Sequence, residues 1–282
     1  MPDELMIDDD TTVNPVVWTS GARGLVARPA DVAVRATSFS PKSIPLIPRE
    51  QWPDRIADME RSKSRLSDII LGSGVPSKDQ NDPRYMNTRN PRWGYCWMFG
   101  PVGAVESLRA VMNQPRVSLS AFGAAYTIKG GRDEGGWGAL SLDFLIDRGV
   151  PSEKVWPNFA ADMSLDNAET WADAAQHKVT ESWVDLTSPV YDRDMTLDQK
   201  MTLLLSRIPV VCDYMWWGHC VYSCDPVDAD PSLPLSDVRR WGSRDRNSWG
   251  DSYGDRGFFL VKGQRCVPDN AVAPSVVMAS TT

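Results

Sequence analysis

The chain has 282 residues, 42% of them hydrophobic and 24% charged, with a net charge of −7, five cysteines, twelve tryptophans and two histidines. This is the composition of a soluble globular protein, long enough to bury one large core or two small ones. An acidic balance without a Lys/Arg cluster argues against nucleic acid or a membrane surface as a partner, and two histidines exclude a His-rich metal site.

The first basic residue is Arg23, whereas Asp3, Glu4, Asp8, Asp9 and Asp10 crowd the start, so the basic region of a secretory signal is missing. No apolar run approaches the ~20 residues of a membrane helix. Five cysteines is an odd number for a disulfide framework. The expected location is therefore non-secreted, in the cytoplasm or within an assembled particle. Residues 1–43 hold Asp, Thr, Pro, Gly and scattered Val without a sustained period, which reads as an extended arm. Such an arm is either a loose tail or a strap on a neighbouring subunit, and protein neighbours in an assembly would contact it. The Asp8–Asp10 run reads as a solvated patch.

Ile56, Met59, Leu66, Ile69 and Ile70 predict a helix near 53–71, closed by Gly72-Ser73-Gly74. The stretch 75–95 reads as loop. From Cys96 to Met112, apolar residues return at helical spacing. Further helices are expected at 119–128, 138–147, 168–178 and 197–207, the last opened by a Thr196-x-x-Gln199 capping box. Then the period changes. Val210–Cys212, Cys220–Tyr222 and Phe258–Val261 read as strands, with a long loop over 225–240. Helices first and strands later predict an α+β fold with the two parts packed face to face.

Three segments carry chemistry together. Cys96 enters an apolar helix from a loop, where the helix dipole favours thiolate. His219, in Gly218-His219-Cys220-Val221, starts a strand, and its imidazolium could lower the thiol pKa and protonate a leaving amine. Asn247, in Asn247-Ser248-Trp249-Gly250, could fix the imidazole tautomer while the Trp249 indole keeps water away. Singly, each has an ordinary structural reading. Their order and separations of 123 and 151 residues match or nearly match the ~130–150 of a papain-like Cys…His…Asn arrangement.

The sequence resembles the papain-like cysteine peptidases well beyond these three residues. Cys96-Trp97-Met98-Phe99 resembles the family's Cys-Trp-Ala-Phe, and Val117-Ser118-Leu119-Ser120 its Val-Ser-Leu-Ser. Gly135-Gly136 is similar to the pair that holds the substrate backbone. Val155-Trp156-Pro157 and Asn247-Ser248-Trp249-Gly250 through Phe258-Phe259 follow in family order. Val75-Pro76-Ser77-Lys78-Asp79-Gln80 resembles the segment ending in the oxyanion-hole glutamine. The matches span about residues 44–266, between the arm and a tail over 267–282.

That resemblance implies two lobes, one helical and one an antiparallel β-barrel-like sheet, with a cleft between them. It implies Cys96 as nucleophile, His219 as general acid/base, Asn247 as orienter and Gln80 as oxyanion donor, with Gly135, Gly136 and Trp249 binding a peptide or protein substrate. No cofactor or metal is implied. The family's glutamine lies six residues before the cysteine; Gln80 lies sixteen before, so Asn81–Asn90 must loop out, while Asn90 has the spacing but a shorter side chain. The flanking Lys78-Asp79 favours Gln80. Gly100-Pro101 is expected to kink the nucleophile helix, and Trp93 stands where the family has a disulfide cysteine. Cys212, Cys220 and Cys224 near His219 could suggest zinc, but buried thiols in a β core are the simpler reading. His177 reads as a solvated helix residue.

Two functions follow from different classes. One is a thiol hydrolase of peptide or isopeptide bonds, with Cys96 alkylating rapidly below neutral pH; an acyl transferase would use the same triad. The other is a structural or assembly component, for example of a virus particle, using the fold as a rigid body. Residues 1–75 lack the long helical signature of the family's proregion. A cleft filled by residues from 1–43 or 81–93 points to latency or to the structural role.

Overall fold

A computed structural model describes residues 5–12, 24–40, 42–80, 93–178, 182–186 and 193–274. The helices run α1 Trp52–Arg61, α2 Leu66–Gly72, α3 Cys96–Val111, α4 Ala121–Ile128, α5 Leu142–Asp147, α6 Ala168–Ala175 and α7 Arg193–Leu205. The strands are β1 Met6–Ile7, β2 Thr37–Ser38, β3 Trp183–Asp185, β4 Val210–Tyr214, β5 His219–Asp228, β6 Trp241–Arg246, β7 Phe258–Lys262 and β8 Asn270–Pro274. They form one sheet in the order β1-β7-β6-β5-β4-β8-β3-β2. Its six central strands pair antiparallel. Among the described residues no helix is long and apolar enough to cross a membrane.

Two cores lie on either side of β5. The helical core gathers Ile70, Trp97, Phe99, Phe122, Leu142 and Trp156, and Cys220, Tyr222 and Cys224 of β5 face it. The second gathers Trp52, Leu197, Leu204, Trp217, Trp241 and Phe259, with Val221 on that side. Alternation along one strand thus supplies both lobes. The helix α3 lies directly on β5. A methyl group at Gly100 would come 3.0 Å from Cys220 Sγ, and one at Gly103 would enter the Tyr222 ring. Pro101 sits inside α3, which continues through it to Val111 rather than breaking.

The second lobe is pinned from within by a charged group. Lys200 of α7 is fully buried and its Nζ donates to Tyr214 Oη (3.0 Å), Ser243 Oγ (2.9 Å) and the Cys266 carbonyl (2.8 Å). Tyr214 and Ser243 in turn donate to Asp245 at 2.8 and 2.6 Å. The ammonium therefore has a carboxylate behind its two hydroxyl partners, which is the condition for burying a charge.

Several elements differ from expectation. The helix over 53–71 is two, because Ser62 caps α1 and Lys63 takes a left-handed φ of 50° that no helix tolerates. The helix near 197–207 begins earlier, at Arg193, so Thr196 lies inside it and not at its cap. The loop over 225–240 is shorter, since β5 runs on to Asp228. Residues 270–274, expected in the tail, form a mostly buried strand between β4 and β3. His177 is 9% exposed, not solvated; burial holds its pKa below the usual value.

The arm also has structure that its composition does not signal. β1 adds to β7 and β2 to β3, both in parallel register, so the arm supplies both edges of the sheet. Ile7 is fully buried, and Asp9 accepts the backbone N–H groups of Gln264 and Arg265 at 3.1 Å each. These described stretches lie on the chain's own body.

Gly103→Ala tests the α3–β5 contact. The Tyr222 ring is buried and its hydroxyl meets Ser107 Oγ at 3.2 Å, so it has nowhere to swing. The substitution is expected to cost about 1–3 kcal/mol, read as a lower urea midpoint at unchanged slope; an unchanged midpoint would show that the helix can lift.

Candidate active site

Cys96 is the first residue of α3, held at the mouth of the helix by the loop before it. Gly94 N–H donates to Asp133 at 2.8 Å, Tyr95 Oη to the Arg132 carbonyl at 2.8 Å, and Trp97 Nε1 to the Glu134 carbonyl at 3.3 Å. The same 132–134 stretch leads into Gly135-Gly136. A side chain at Gly136 would strike the Trp97 ring, 2.7 Å away. The loop before Cys96 and the double glycine are therefore one packed unit.

His219 opens β5 and is fully buried between two indoles, with ring centroids 4.8 Å from both Trp217 and Trp249. Its Nε2 lies 2.8 Å from Asn247 Oδ1. The backbone N–H of Ser248 donates to the same oxygen at 2.7 Å. The Ser248 N–H can only donate, which identifies that atom as the amide oxygen, so Nε2 carries a proton toward it and Nδ1 is the nitrogen that holds the lone pair whenever the ring is neutral. Asn247 is itself fixed: its N–H donates to the Gly257 carbonyl at 2.9 Å, and its carbonyl accepts Ser77 Oγ at 2.6 Å.

Gln80 is brought to this segment. Its N–H donates to the Ser248 carbonyl at 2.7 Å, and Asp79 bridges Trp249 across an antiparallel contact. Ser248 Oγ donates to Gln80 Oε1 at 2.6 Å, which turns the amide so that Nε2 is the free end. That Nε2 is buried without a hydrogen-bond partner among the described residues, a cost normally tolerated for a purpose. Two residues earlier, Lys78 Nζ pairs with Glu106 at 2.8 Å and Glu153 at 3.1 Å, tying the segment to the helical lobe. Asn90, the other candidate donor, lies outside the described residues, as does the loop Asn81–Asn90.

The space between the Cys96 loop and Gly135-Gly136 holds the arm. Gly136 N–H donates to the Gly24 carbonyl at 2.8 Å, and Val26 N–H donates to the Gly136 carbonyl at 2.9 Å, so Leu25 pairs with Gly136 in parallel. A side chain at Gly24 would overlap the Gly94 carbonyl, and one at Gly135 would come 2.6 Å from the Gly24 oxygen. Only bare backbone fits there. The backbone N–H groups of Cys220, Gly24 and Trp97 reach the Cys96 sulfur.

These contacts reverse the electrostatic expectation for Cys96. The residue is fully buried, and burial pushes its thiol up to about 12. The N–H groups of Cys220, Gly24 and Trp97 work against that rise, and the nearby Asp213 carboxylate adds to it. A helix N-terminus alone does not hold a thiolate where water is excluded. Cys212, Cys220, Cys224 and Cys266 are buried as well, and burial raises each of them.

No protein-family model matches the sequence, and no curated protein matches it. Solved structures do. Xylellain, a cysteine protease from Xylella fastidiosa, superposes with a TM-score of 0.57 at 18% identity, over 91% of this chain and 97% of that one. Digestive procathepsin L2 proteinase from Tenebrio molitor larval midgut gives 0.56 at 17%, over 96% and 84%. A recombinant stem bromelain precursor gives 0.53 at 16%, over 97% and 83%. At such identities the likeness is one of fold.

A thiol with a pKa near 12 under a packed strap should be nearly inert. With iodoacetamide at about pH 8, Cys96 in the intact chain is expected to react about 10³-fold more slowly than an unhindered cysteine, read by peptide mapping. Fast modification below neutral pH would show that the arm leaves the sulfur open.

Proposed function

We propose that this chain, which has the papain-like fold, is a thiol hydrolase that cleaves peptide or isopeptide bonds through an acyl-enzyme on Cys96 and is held latent by its own arm. The observation that carries the reading is the His219–Asn247 pair at 2.8 Å, with the amide oxygen fixed by a second donor. That pair turns Nε2 toward Asn247 and leaves Nδ1 as the ring's other nitrogen for proton transfer.

In the proposed reaction His219 takes the Cys96 proton and the sulfur bonds the substrate carbonyl carbon, moving the carbonyl electron pair onto oxygen. Gln80 Nε2 and the Cys96 backbone N–H donate to that oxyanion. Its collapse breaks the C–N bond, and the departing amine takes the proton from His219. Water then attacks the thioester with His219 as base, releasing the acid and the thiol. Gly136 offers the substrate backbone the N–H and carbonyl that the arm uses in this structure. None of this runs while Gly24 lies against the sulfur and Leu25 and Val26 pair with Gly136, so the arm must leave first. Displacing it lets water and the imidazole reach the thiol and removes the burial that keeps it protonated.

The second reading, a structural or assembly component, is favoured by that same filled cleft. Gly24→Ala separates the two, because the added methyl group cannot coexist with the Gly94 carbonyl. The expected result is that Cys96 becomes the thiol labelled by an epoxide-type thiol-protease inhibitor and that peptide hydrolysis appears, lost in the Gly24→Ala/Cys96→Ser double variant. Gln80→Ala in the Gly24→Ala background should lower kcat/KM by about 10²–10³. Labelling of Cys96 without hydrolysis of any peptide or isopeptide substrate would support the structural reading.

A further inference from the structure

One thiol beside Cys96 has no part in the proposed reaction. Cys220 follows His219 on β5, and its side chain turns to the other face of the strand, into the helical core. Its sulfur would lie 3.0 Å from a methyl group at Gly100 and 3.5 Å from one at Gly138. Cys96 lies one turn before Gly100 on α3, so the two positions share a helix face, with about 5–6 Å between Cβ positions so spaced. The backbone N–H of Cys220 reaches the Cys96 sulfur itself. Cys220 therefore meets both ends of that turn, with its sulfur at Gly100 and its N–H at Cys96.

The other cysteines are placed differently. Cys212 and Cys266 belong to the second core, and Cys224 lies four residues farther along β5. Cys220 also has an acceptor for its proton. Asp213 pairs with it across the β4–β5 ladder, and the Asp213 carboxylate accepts a hydrogen bond from the Cys220 thiol. Asp213 is 2% exposed, and Gly138 N–H donates to both its oxygens, at 3.2 and 3.1 Å. Burial pushes this carboxyl up to about 6, against the pull of the Cys220 thiol, the Gly138 N–H and Arg28, with Asp269 adding to the rise. Burial raises the Cys220 thiol too, and the Asp213 carboxylate and the Cys96 sulfur add to that. A thiol so placed is no rival to Cys96 as a nucleophile. It is held beside Cys96 with a base at its own proton.

We propose that Cys96 and Cys220 form a peroxide-sensitive pair: once the arm leaves, a hydroperoxide oxidises Cys96, and Cys220 resolves the product as a disulfide. In the first step the Cys96 thiolate attacks one peroxide oxygen and the O–O bond breaks. The departing oxygen takes the thiol's proton, giving an alcohol or water and a sulfenic acid on Cys96. In the second, Asp213 takes the Cys220 proton while the Cys220 sulfur bonds the Cys96 sulfur and the S–O bond breaks. The hydroxide leaves with that proton as water. The two thiols together lose two electrons and two protons, and the peroxide is reduced. Proximity favours the second step, since Cys220 is held against the turn that Cys96 begins. The bridge protects the site, because a sulfenic acid that meets no thiol goes on to irreversible sulfinic acid. The proposal adds regulation to the thiol of the hydrolase reading and rests on that reading only for what is switched.

The test treats the full-length Gly24→Ala chain with hydrogen peroxide and maps its peptides by mass. The expected product is a Cys96–Cys220 disulfide, lighter by two hydrogens, which dithiothreitol reverses, with peptide hydrolysis lost and recovered in step. In Gly24→Ala/Cys220→Ser, Cys96 should instead advance to sulfinic acid, which dithiothreitol does not reverse. Wild type should gain the bridge far more slowly, since Gly24 lies at the sulfur. Arg28→Ala removes the arm's ion pair with Asp185 at 2.9 Å and loosens the arm by a second route, so it should give the same bridge. Sulfinic acid at Cys96 with Cys220 still a free thiol, or a disulfide from Cys96 to any other cysteine, overturns the proposal, as does an unmodified Cys96 in both arm variants. A bridge that forms and reverses in a chain that cleaves no peptide counts against the hydrolase reading and leaves the pair standing.

Discussion

The contact of α3 with β5 is the constraint on which the site depends. Gly100 and Gly103 let helix backbone settle onto Cys220 and Tyr222, closer than any side chain would permit. Each glycine in a helix interior costs about 1 kcal/mol relative to alanine, and Pro101 between them surrenders a hydrogen bond as well. The fold tolerates this because β5 belongs to both cores, with Cys220, Tyr222 and Cys224 on one side and Val221 on the other. Cys96 begins the helix and His219 begins the strand. Their relation is therefore set first by two rigid elements in van der Waals contact, with the loop before Cys96 fixing the helix mouth.

Around that seam, the polar groups divide into those that are fixed and those that are waiting. Asn247 is committed at its N–H, its carbonyl and its Oδ1. Gln80 is committed at Oε1 and at its N–H, while its Nε2 is not. The thiol has three backbone N–H groups about it and is nonetheless raised to about 12. Dipoles that favour a thiolate are thus assembled in advance, and burial overrides them. The balance is set by the exclusion of water from the sulfur.

Much of this was legible in the sequence, for physical reasons. Long helices with a 3.6-residue period, such as α3, show themselves, and so does the order Cys96, His219, Asn247, because each stands in a short motif whose neighbours are fixed by packing and hydrogen bonds. The Val-Pro-Ser-Lys-Asp flank singles out Gln80 in the sequence despite the ten residues after it, and the structure sets that residue beside Ser248. The arm was illegible. Strands of two residues carry no period, and their partners lie some 250 residues away in β7 and some 150 away in β3. Likewise Asp213 reads as one polar residue in Val210-Val211-Cys212-Asp213-Tyr214; only the fold shows Gly138, Arg28 and Cys220 converging on it. The break at Lys63 leaves no mark in the sequence, because Leu66, Ile69 and Ile70 keep the helical spacing of Ile56 and Met59 across it.

The direction of the arm explains how a peptide can lie over a candidate nucleophile without being set up for attack. Leu25 runs parallel to Gly136, so the Gly24 carbonyl is spent on the Gly136 N–H. What the arm turns toward the Cys96 sulfur is the Gly24 N–H. The arm therefore meets the sulfur with a donor at Gly24, whose own carbonyl is held by Gly136. Such protection resides in backbone polarity and requires no special residue beyond a glycine thin enough to pass the Gly94 carbonyl.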